Sequence, residues 1–290
     1  MFPLVTYPEA LAGGELGRLL GEFQGIAAAP PGAPPEPEAE LRCRDLAQSI
    51  AQRLEGGRLQ VFISHTKHPA SPEEQGVGAL IERVRWIIDH TRLTSFFDAR
   101  ELQPGSNWDQ VLRDNAATGA MLSLRTDLYS SRAWCQREVR IAKEAGLPAV
   151  TLEAPGAGDE RGSFLMDHRP RVPVRWDGEA WADAQIRRGL NRLVDECLKR
   201  ALWRRQERLA KAAGLTMDWW SPHPPEPTTL AHWLKSRPAS ETPSTAPLRV
   251  LHPDPPLGPD EKSVLDDIAK LLKLPPLDIL TPLLLAARGA

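Results

Sequence analysis

Residues 120–152 read AMLSLRTDLYSSRAWCQREVRIAKEAGLPAVTL, and this stretch decides the predicted fold. Two short apolar runs, at 120–124 and 149–152, each have the length of a buried strand. Between them, residues that suit one helix face recur at helical spacing: Trp134, Cys135, Glu138, Val139 and Ala142. A strand, a helix and a second strand joined by short connections are typical of a parallel sheet covered by helices. The stretch therefore predicts an α/β fold.

The same alternation extends through residues 58–212. Three further strand-like runs lie at 60–64, 95–98 and 172–176, and helical stripes lie at 77–88, 108–112 and 179–211. With the two runs above, they predict a parallel sheet of five strands that has helices on both faces. Ligands of such sheets bind beyond the carboxyl ends of the strands, so we expect the functional residues there.

The prolines divide the chain into segments. Of 28, seven lie in residues 1–57, seven in 58–212 and fourteen in 213–290. Proline removes backbone donors that helices and inner strands need, so the middle segment is the predicted packed domain. We interpret residues 1–57 as a helical N-terminal arm with a Pro-rich spacer. The Pro-rich C-terminal extension is interpreted as a linker at 213–247, followed at 248–290 by the start of a second domain or a docking tail.

Composition and charge exclude several classes of protein. Lys and Arg number 36 against 38 Asp and Glu, so there is no basic excess that would bind nucleic acid directly. The three cysteines, Cys43, Cys135 and Cys197, are too widely spaced for a disulfide framework or a zinc site. The first residues contain no secretory signal, and the apolar run 277–287 is too short to cross a bilayer. We therefore expect a soluble cytoplasmic protein with no bound metal and no membrane contact.

Three short motifs follow predicted strands, at the edge where ligands bind. FISH at 62–65 ends the first strand, and FFDARELQPG at 96–105 runs from the second strand into a charged loop that closes on a Pro-Gly turn. SSRAWCQREV at 130–139 begins a helix after a capping serine. Trp134 and Glu138 are four residues apart, so they share one face of that helix.

In this order, the motifs resemble the Toll/interleukin-1 receptor (TIR) domain family in its bacterial, NAD-cleaving form, over residues 59–211. Trp134, Cys135 and Glu138 match the W-C-x-x-E pattern of catalytic members letter for letter. The resemblance implies a flavodoxin-like fold with Glu138 as the catalytic glutamate. It implies NAD+ as the substrate, no other cofactor, and activity that homo-oligomerisation switches on. It also implies a bacterial antiviral or anti-plasmid defence effector that is controlled by a sensor domain or partner protein.

The resemblance further identifies residues 98–105 as the BB loop, which in this family often completes the pocket of a neighbouring molecule. Asp98, at the start of the loop, is expected to contact the substrate. The remaining loop residues are expected to mediate assembly: Arg100, Glu101, Leu102, Pro104 and Gly105. TIR–TIR contacts of this kind predict that an isolated domain has weak activity.

The chemistry that the resemblance implies needs few groups. Cleavage of the nicotinamide–ribose bond releases a neutral base and leaves an oxocarbenium-like sugar, so the leaving group needs no proton. An ionised Glu138 can stabilise the developing positive charge in a partly dry pocket. We expect Phe62 and Trp134 to wall the nicotinamide, and Ser64 and His65 to bind its amide or a phosphate. Linear and cyclised ADP-ribose are equally open as products, and the trigger is not determined.

Two other functions stay open. A non-catalytic TIR scaffold would signal by homotypic contacts through the BB loop, and a nucleoside-deoxyribosyltransferase-like enzyme would use Glu138 to attack a sugar. Some residues also have plainer interpretations. Trp134 suits core packing as well as a pocket wall, and Cys135 suits packing better than nucleophilic attack. His65 and His68 have no ligand partners at metal-binding spacing, which favours ordinary loop histidines.

Overall fold

The computed structural model describes residues 38–66, 74–91, 93, 95–97, 119–158, 161–237 and 246–289. The chain divides into two compact units. The first unit is Met1–Ala142 with Leu147–Ala201, and the second is Lys143–Gly146 with Leu202–Ala290. The predicted BB loop at 98–105, the helical stripe at 108–112 and the N-terminal residues 1–37 lie outside the described residues.

Helices and strands alternate along the chain as far as Ala212. They are α1 (Glu38–Glu55), β1 (Gln60–Ser64), α2 (Glu74–Asp89), β2 (Ser95–Phe97), β3 (Gly119–Arg125), α3 (Ala133–Glu144), β4 (Ala149–Glu153), β5 (Arg171–Pro173) and α4 (Asp183–Ala212). Single 3-10 turns lie at Tyr129–Ser131 and Phe164–Met166. The predicted fifth strand at 172–176 is shorter than expected, because Trp176 forms an antiparallel bridge with Trp181 instead.

The strands of the first unit form a parallel sheet in the order β2-β1-β3-β4-β5. The predicted α/β class with a parallel sheet is therefore confirmed. The chain builds outward from β1 to β2 and then crosses to β3 on the other side of β1. In a doubly wound sheet, this change of direction opens a crevice beyond the carboxyl ends of the two central strands. That crevice lies at the ends of β1 and β3.

The two faces of the sheet differ in chemistry because successive residues of a strand point to opposite faces. One face is apolar and packs in a continuous core with α2 and α4; its strand residues include Val61, Ile63, Leu122, Leu124, Val150 and Leu152. On the other face, Ser64, Ser123 and Thr151 are aligned in register across β1, β3 and β4. Helix α3 covers this polar face, where Glu138 meets Ser64.

Helix α1 belongs to the first unit and is not the independent arm that the proline distribution predicts. Ala51 is fully buried in the same core as the sheet. Arg44 on α1 donates a 3.3 Å hydrogen bond to Asn191 on α4. The helix escaped this prediction because its buried side includes polar residues, Arg44, Asp45 and Gln48, which weaken the apolar stripe.

Helix α4 packs closely against β4 at Gly189. A Cβ atom at this position would overlap the Cδ2 atom of Leu152, which is fully buried in the core. Only glycine fits here, because the α4 backbone itself contacts the Leu152 side chain.

The second unit contains a smaller parallel sheet. Its elements are β6 (Trp219–Trp220), α5 (Pro227–Ser236), β7 (Leu248–Leu251), α6 (Pro259–Leu271), β8 (Leu277–Leu280) and α7 (Pro282–Ala287). The strand order is β6-β7-β8. The sheet residues Val250 and Ile279 pack with Leu230 and Leu265 from the helices, and Trp219 stacks on Trp233 with ring centroids 4.9 Å apart.

This second unit corrects three predictions. The segment 213–247 is not a linker, because β6 and α5 are packed elements within it. The segment 248–290 is neither a fresh domain start nor a docking tail, because β7 and β8 complete the same sheet. The boundary lies at Leu202 and not after 212. Among the residues described, no helix combines the length and the apolar character that a membrane span requires.

Candidate active site at the carboxyl end of β1

The candidate catalytic residue, Glu138, lies in the second turn of α3 and is only 2% exposed. The Ser64 hydroxyl, at the end of β1, donates a 2.5 Å hydrogen bond to Glu138 Oε2. An O–H···O distance this short is typical of a bond to an ionised carboxylate. The fold therefore brings together two predicted site residues that are 74 positions apart in the chain.

A third residue, Tyr129, completes this contact. Its hydroxyl lies 2.6 Å from Ser64 Oγ, and its side chain is fully buried in the 3-10 turn that precedes α3. Burial, together with negative charge at Cys135 and Glu138, raises the pKa of the Tyr129 phenol far above its usual range. The phenol therefore keeps its proton throughout the physiological pH range.

More hydroxyl groups surround the crevice between β1 and β3. Ser123 is the register partner of Ser64 and is fully buried. Just beyond the strand ends, Thr66 Oγ1 lies 3.3 Å from Thr126 Oγ1. Hydroxyl groups can turn to donate or accept, so this edge of the sheet is polar without carrying a positive charge.

The other predicted pocket residues have different environments. Phe62 is 4% exposed and lies on the α3 side of the sheet, so its ring is packed and does not form an open wall. His65 is also buried, and its Nδ1 lies 3.1 Å from the Thr66 carbonyl oxygen. Trp134, one turn before Glu138, is 39% exposed. Trp134 is thus the accessible aromatic ring on the helix that carries Glu138.

The remaining predictions concern residues at 98–105 and His68. Asp98, Arg100, Glu101, Leu102, Pro104 and Gly105 all lie outside the described residues. His68 lies outside them as well. Within the described ranges, no group of three or more His, Cys, Asp or Glu side chains is arranged to hold a metal ion.

Cys135, the middle residue of the W-C-x-x-E match, is buried at the start of α3. Its thiol contacts the His65 carbonyl oxygen at 3.8 Å. This contact joins α3 to the end of β1 next to the Ser64–Glu138 bond. Packing of this kind matches the plainer interpretation of the cysteine as a small buried residue.

Sequence reasoning missed Tyr129 and Asp127. Nothing in the sequence pattern marks Tyr129, which is one of two tyrosines. Asp127 accepts hydrogen bonds from three consecutive backbone N–H groups, those of Gly156, Ala157 and Gly158, at 2.9, 2.8 and 3.1 Å. These bonds tie the loop after β4 to the loop after β3. A carboxylate opposite a glycine-rich loop is the sequence signal that would have suggested this contact.

Comparisons with known proteins give little further information. No family model matches the chain, and no curated protein matches it. Among solved structures, the chain is similar to the sugar isomerase domain of an RpiR transcription factor from Sphaerobacter thermophilus. The identity is 15%, over 62% of this chain and 88% of that one, with a TM-score of 0.26. A score this low supports no conclusion about function.

Proposed function

We propose that this protein is a TIR-type NAD+ nucleosidase that cleaves the bond between nicotinamide and ribose. The observation that carries the proposal is the buried contact of Glu138 with Ser64, next to the crevice between β1 and β3. Crevices at this place in doubly wound sheets are where ligands bind. The W-C-x-x-E pattern and the position of Glu138 in the fold therefore favour the same residue independently.

Glu138 has the properties that the reaction requires of a single carboxylate. Because Ser64 donates to Oε2, the interaction favours the ionised form of Glu138 over the protonated form. A negative charge in a site shielded from water interacts strongly with the oxocarbenium-like ribose of the transition state. Nicotinamide leaves as a neutral base, so no second carboxylate is needed as a general acid.

The surroundings of Glu138 refine the expected roles of its neighbours. Ser64 has a single proton, which Glu138 accepts, so Ser64 can offer a substrate only an acceptor lone pair. It therefore suits a ribose hydroxyl or the amide N–H of nicotinamide, and not a phosphate. Trp134 offers an exposed ring one turn away on the same helix, and a pyridinium cation stacks favourably on such a ring.

Assembly and biological role follow from the family resemblance. Self-association through the BB loop, with Pro104 and Gly105 at its turn, would switch on NAD+ cleavage in the cytoplasm. A sensor domain or partner protein would supply the trigger. This proposal describes a bacterial defence effector that acts by depleting NAD+.

The test is release of nicotinamide from NAD+ by the whole chain, compared between dilute protein and protein under crowding. Glu138→Ala is the inactive variant, and Glu144→Gln is a matched control because it lies on the same helix. We expect release by wild type and by Glu144→Gln, greater under crowding, and none by Glu138→Ala. Wild-type protein that releases no nicotinamide in either state would refute the proposal, as would equal release by Glu138→Ala. Chromatography of the products distinguishes linear from cyclised ADP-ribose.

The near-complete burial of Glu138 favours a second candidate, a non-catalytic TIR scaffold in which this carboxylate only stabilises the fold. A cellular effect that survives Glu138→Ala but is lost in Pro104→His or Gly105→Asp would support the scaffold. A covalent sugar trapped on Glu138 in the absence of NAD+ would instead indicate a deoxyribosyltransferase-like enzyme.

A further inference from the structure

We infer that Tyr129 is a positioning residue for Glu138 and acts through the hydroxyl of Ser64. The inference rests on the proposed function, in which Glu138 must be ionised and fixed beside the ribose. Three side chains from separate parts of the fold meet here: Ser64 from the end of β1, Tyr129 from a 3-10 turn and Glu138 from α3.

The direction of each hydrogen bond in this chain follows from counting protons. Ser64 has one proton, and it points to Glu138 Oε2 at 2.5 Å. The Tyr129 hydroxyl, 2.6 Å away, must therefore donate to Ser64 Oγ. Donation into an oxygen polarises its own O–H bond and makes it a stronger donor. Tyr129 therefore strengthens the bond that favours the ionised form of Glu138.

Tyr129 is also held firmly enough to fix the geometry. Its side chain is fully buried, and its backbone N–H donates a 3.0 Å hydrogen bond to the Thr126 carbonyl oxygen. A serine hydroxyl on its own rotates among several directions. With Tyr129 on one side and Glu138 on the other, Ser64 is restricted to the direction that serves the carboxylate.

The other ionisable groups near this chain come from three elements. Cys135 and Glu138 on α3 are the titratable groups whose charge acts on Tyr129. His65 follows Ser64 directly at the end of β1. Arg169, in the segment before β5, donates a 3.1 Å hydrogen bond to the carbonyl oxygen of Val139, the residue after Glu138. None of these groups can replace the hydroxyl contact between Tyr129 and Ser64.

The first test replaces Tyr129 with Phe, which removes only the hydroxyl. In nicotinamide release by the full chain, we expect kcat to fall about tenfold or more, with a smaller change in KM. The acidic limb of the pH–rate profile is expected to move to higher pH, because Glu138 then ionises less readily. Ser64→Ala should move the limb further in the same direction.

A double variant tests whether Tyr129 acts through Ser64. If it does, adding Tyr129→Phe to Ser64→Ala changes neither kcat nor the acidic limb further, because the intermediate hydroxyl is already gone. The control is Thr91→Val. The buried Thr91 hydroxyl donates a 2.8 Å bond to Ile88 near the start of β2, at the opposite edge of the sheet. This variant should lower the thermal midpoint without moving the acidic limb.

A substitution-free measurement covers the case in which Tyr129→Phe fails to fold. The chain has two tyrosines, so 3-fluorotyrosine in a Tyr7→Phe background labels Tyr129 alone. The fluorinated phenol is a stronger donor, and we expect the acidic limb to move to lower pH. An unmoved limb in both the Phe and the fluorotyrosine protein overturns the inference, as do fully additive effects in the double variant. Wild-type protein without nicotinamide release overturns the proposed function and this inference together, whereas an active wild type with an unmoved limb overturns the inference alone.

Discussion

Replacement of Glu138 by Gln separates a catalytic carboxylate from a structural one, because the two roles predict opposite effects on stability. Glutamine has nearly the same shape, and its amide oxygen can still accept the hydrogen bond from Ser64. The substitution therefore removes the charge and little else. We expect nicotinamide release to disappear while the free energy of unfolding stays unchanged or rises by about 1–2 kcal/mol.

This magnitude comes from two opposing terms. Holding an ionised carboxylate at 2% exposure costs several kcal/mol after relaxation, on the order of 3. The charged hydrogen bond from Ser64 stabilises the fold by roughly 1.5–3 kcal/mol, and the neutral bond to glutamine by roughly 0.5–1.5. Loss of the charge therefore removes a larger cost than the stabilisation it forfeits. Active sites commonly retain unfavourable buried charges of this kind because the reaction needs them.

The assay pairs urea unfolding with nicotinamide release on the same preparations. Glu138→Ala is the comparison, because it leaves the Ser64 donor without its acceptor and should destabilise the protein by about 1–3 kcal/mol. A Gln variant that loses 3 kcal/mol or more of stability and still releases nicotinamide would refute this reasoning. That result would make Glu138 a structural residue.

Three further predictions concern the packing and the titration of the two units. Gly189→Ala places a methyl group against Leu152 and should lower the free energy of unfolding by about 1–3 kcal/mol in urea titration, but by less when Leu152 is also Ala. Lys143→Met leaves Glu226, its partner at 3.0 Å, buried without a counter-charge. It should cost about 3–5 kcal/mol, most of which Glu226→Gln in the same chain should restore. Burial lowers the pKa of His252, so the unfolded chain takes up a proton that the folded protein does not. The stability that this group provides is complete above the unfolded pKa of about 6.5 and is lost as the pH falls through the lower folded value, and His252→Gln should flatten this loss in urea midpoints measured from pH 8 to pH 5.

The elements of the first sheet were predictable because their apolar residues follow simple periods. The run at 60–64 coincides with β1, and the run at 149–152 lies within β4. Helix α3 was predictable from its stripe and begins one residue before Trp134. These segments are buried on two sides, so a short apolar run or a helical stripe carries most of the signal.

The second unit was not predictable from proline content, because position matters more than number. Pro227, Pro259 and Pro282 each stand at the start of a helix. There the missing N–H has no partner to lose, and the fixed φ angle suits the first helical turn. A high proline count therefore marked the starts of α5, α6 and α7, where it was interpreted as a linker.

The candidate site was predictable in its residues but not in its contacts. Ser64 and Glu138 both follow from motifs at strand ends, yet nothing in the sequence indicates that their oxygens meet at 2.5 Å. Tyr129 could not be found, because a tyrosine between a strand and a helix has no periodic or motif signal. Its role depends on a distance across 65 positions of the chain, which only the folded structure provides.

The unequal faces of the first sheet bear on how such a protein changes over evolution. Along β1, Val61 and Ile63 belong to the apolar core, whereas Ser64 belongs to the reactive side. Neighbouring codons thus answer to different selective pressures, one for a folded chain and the next for turnover. A lineage can therefore acquire a new substrate, or lose activity and keep only its binding role, through substitutions that leave the hydrophobic half of every strand intact.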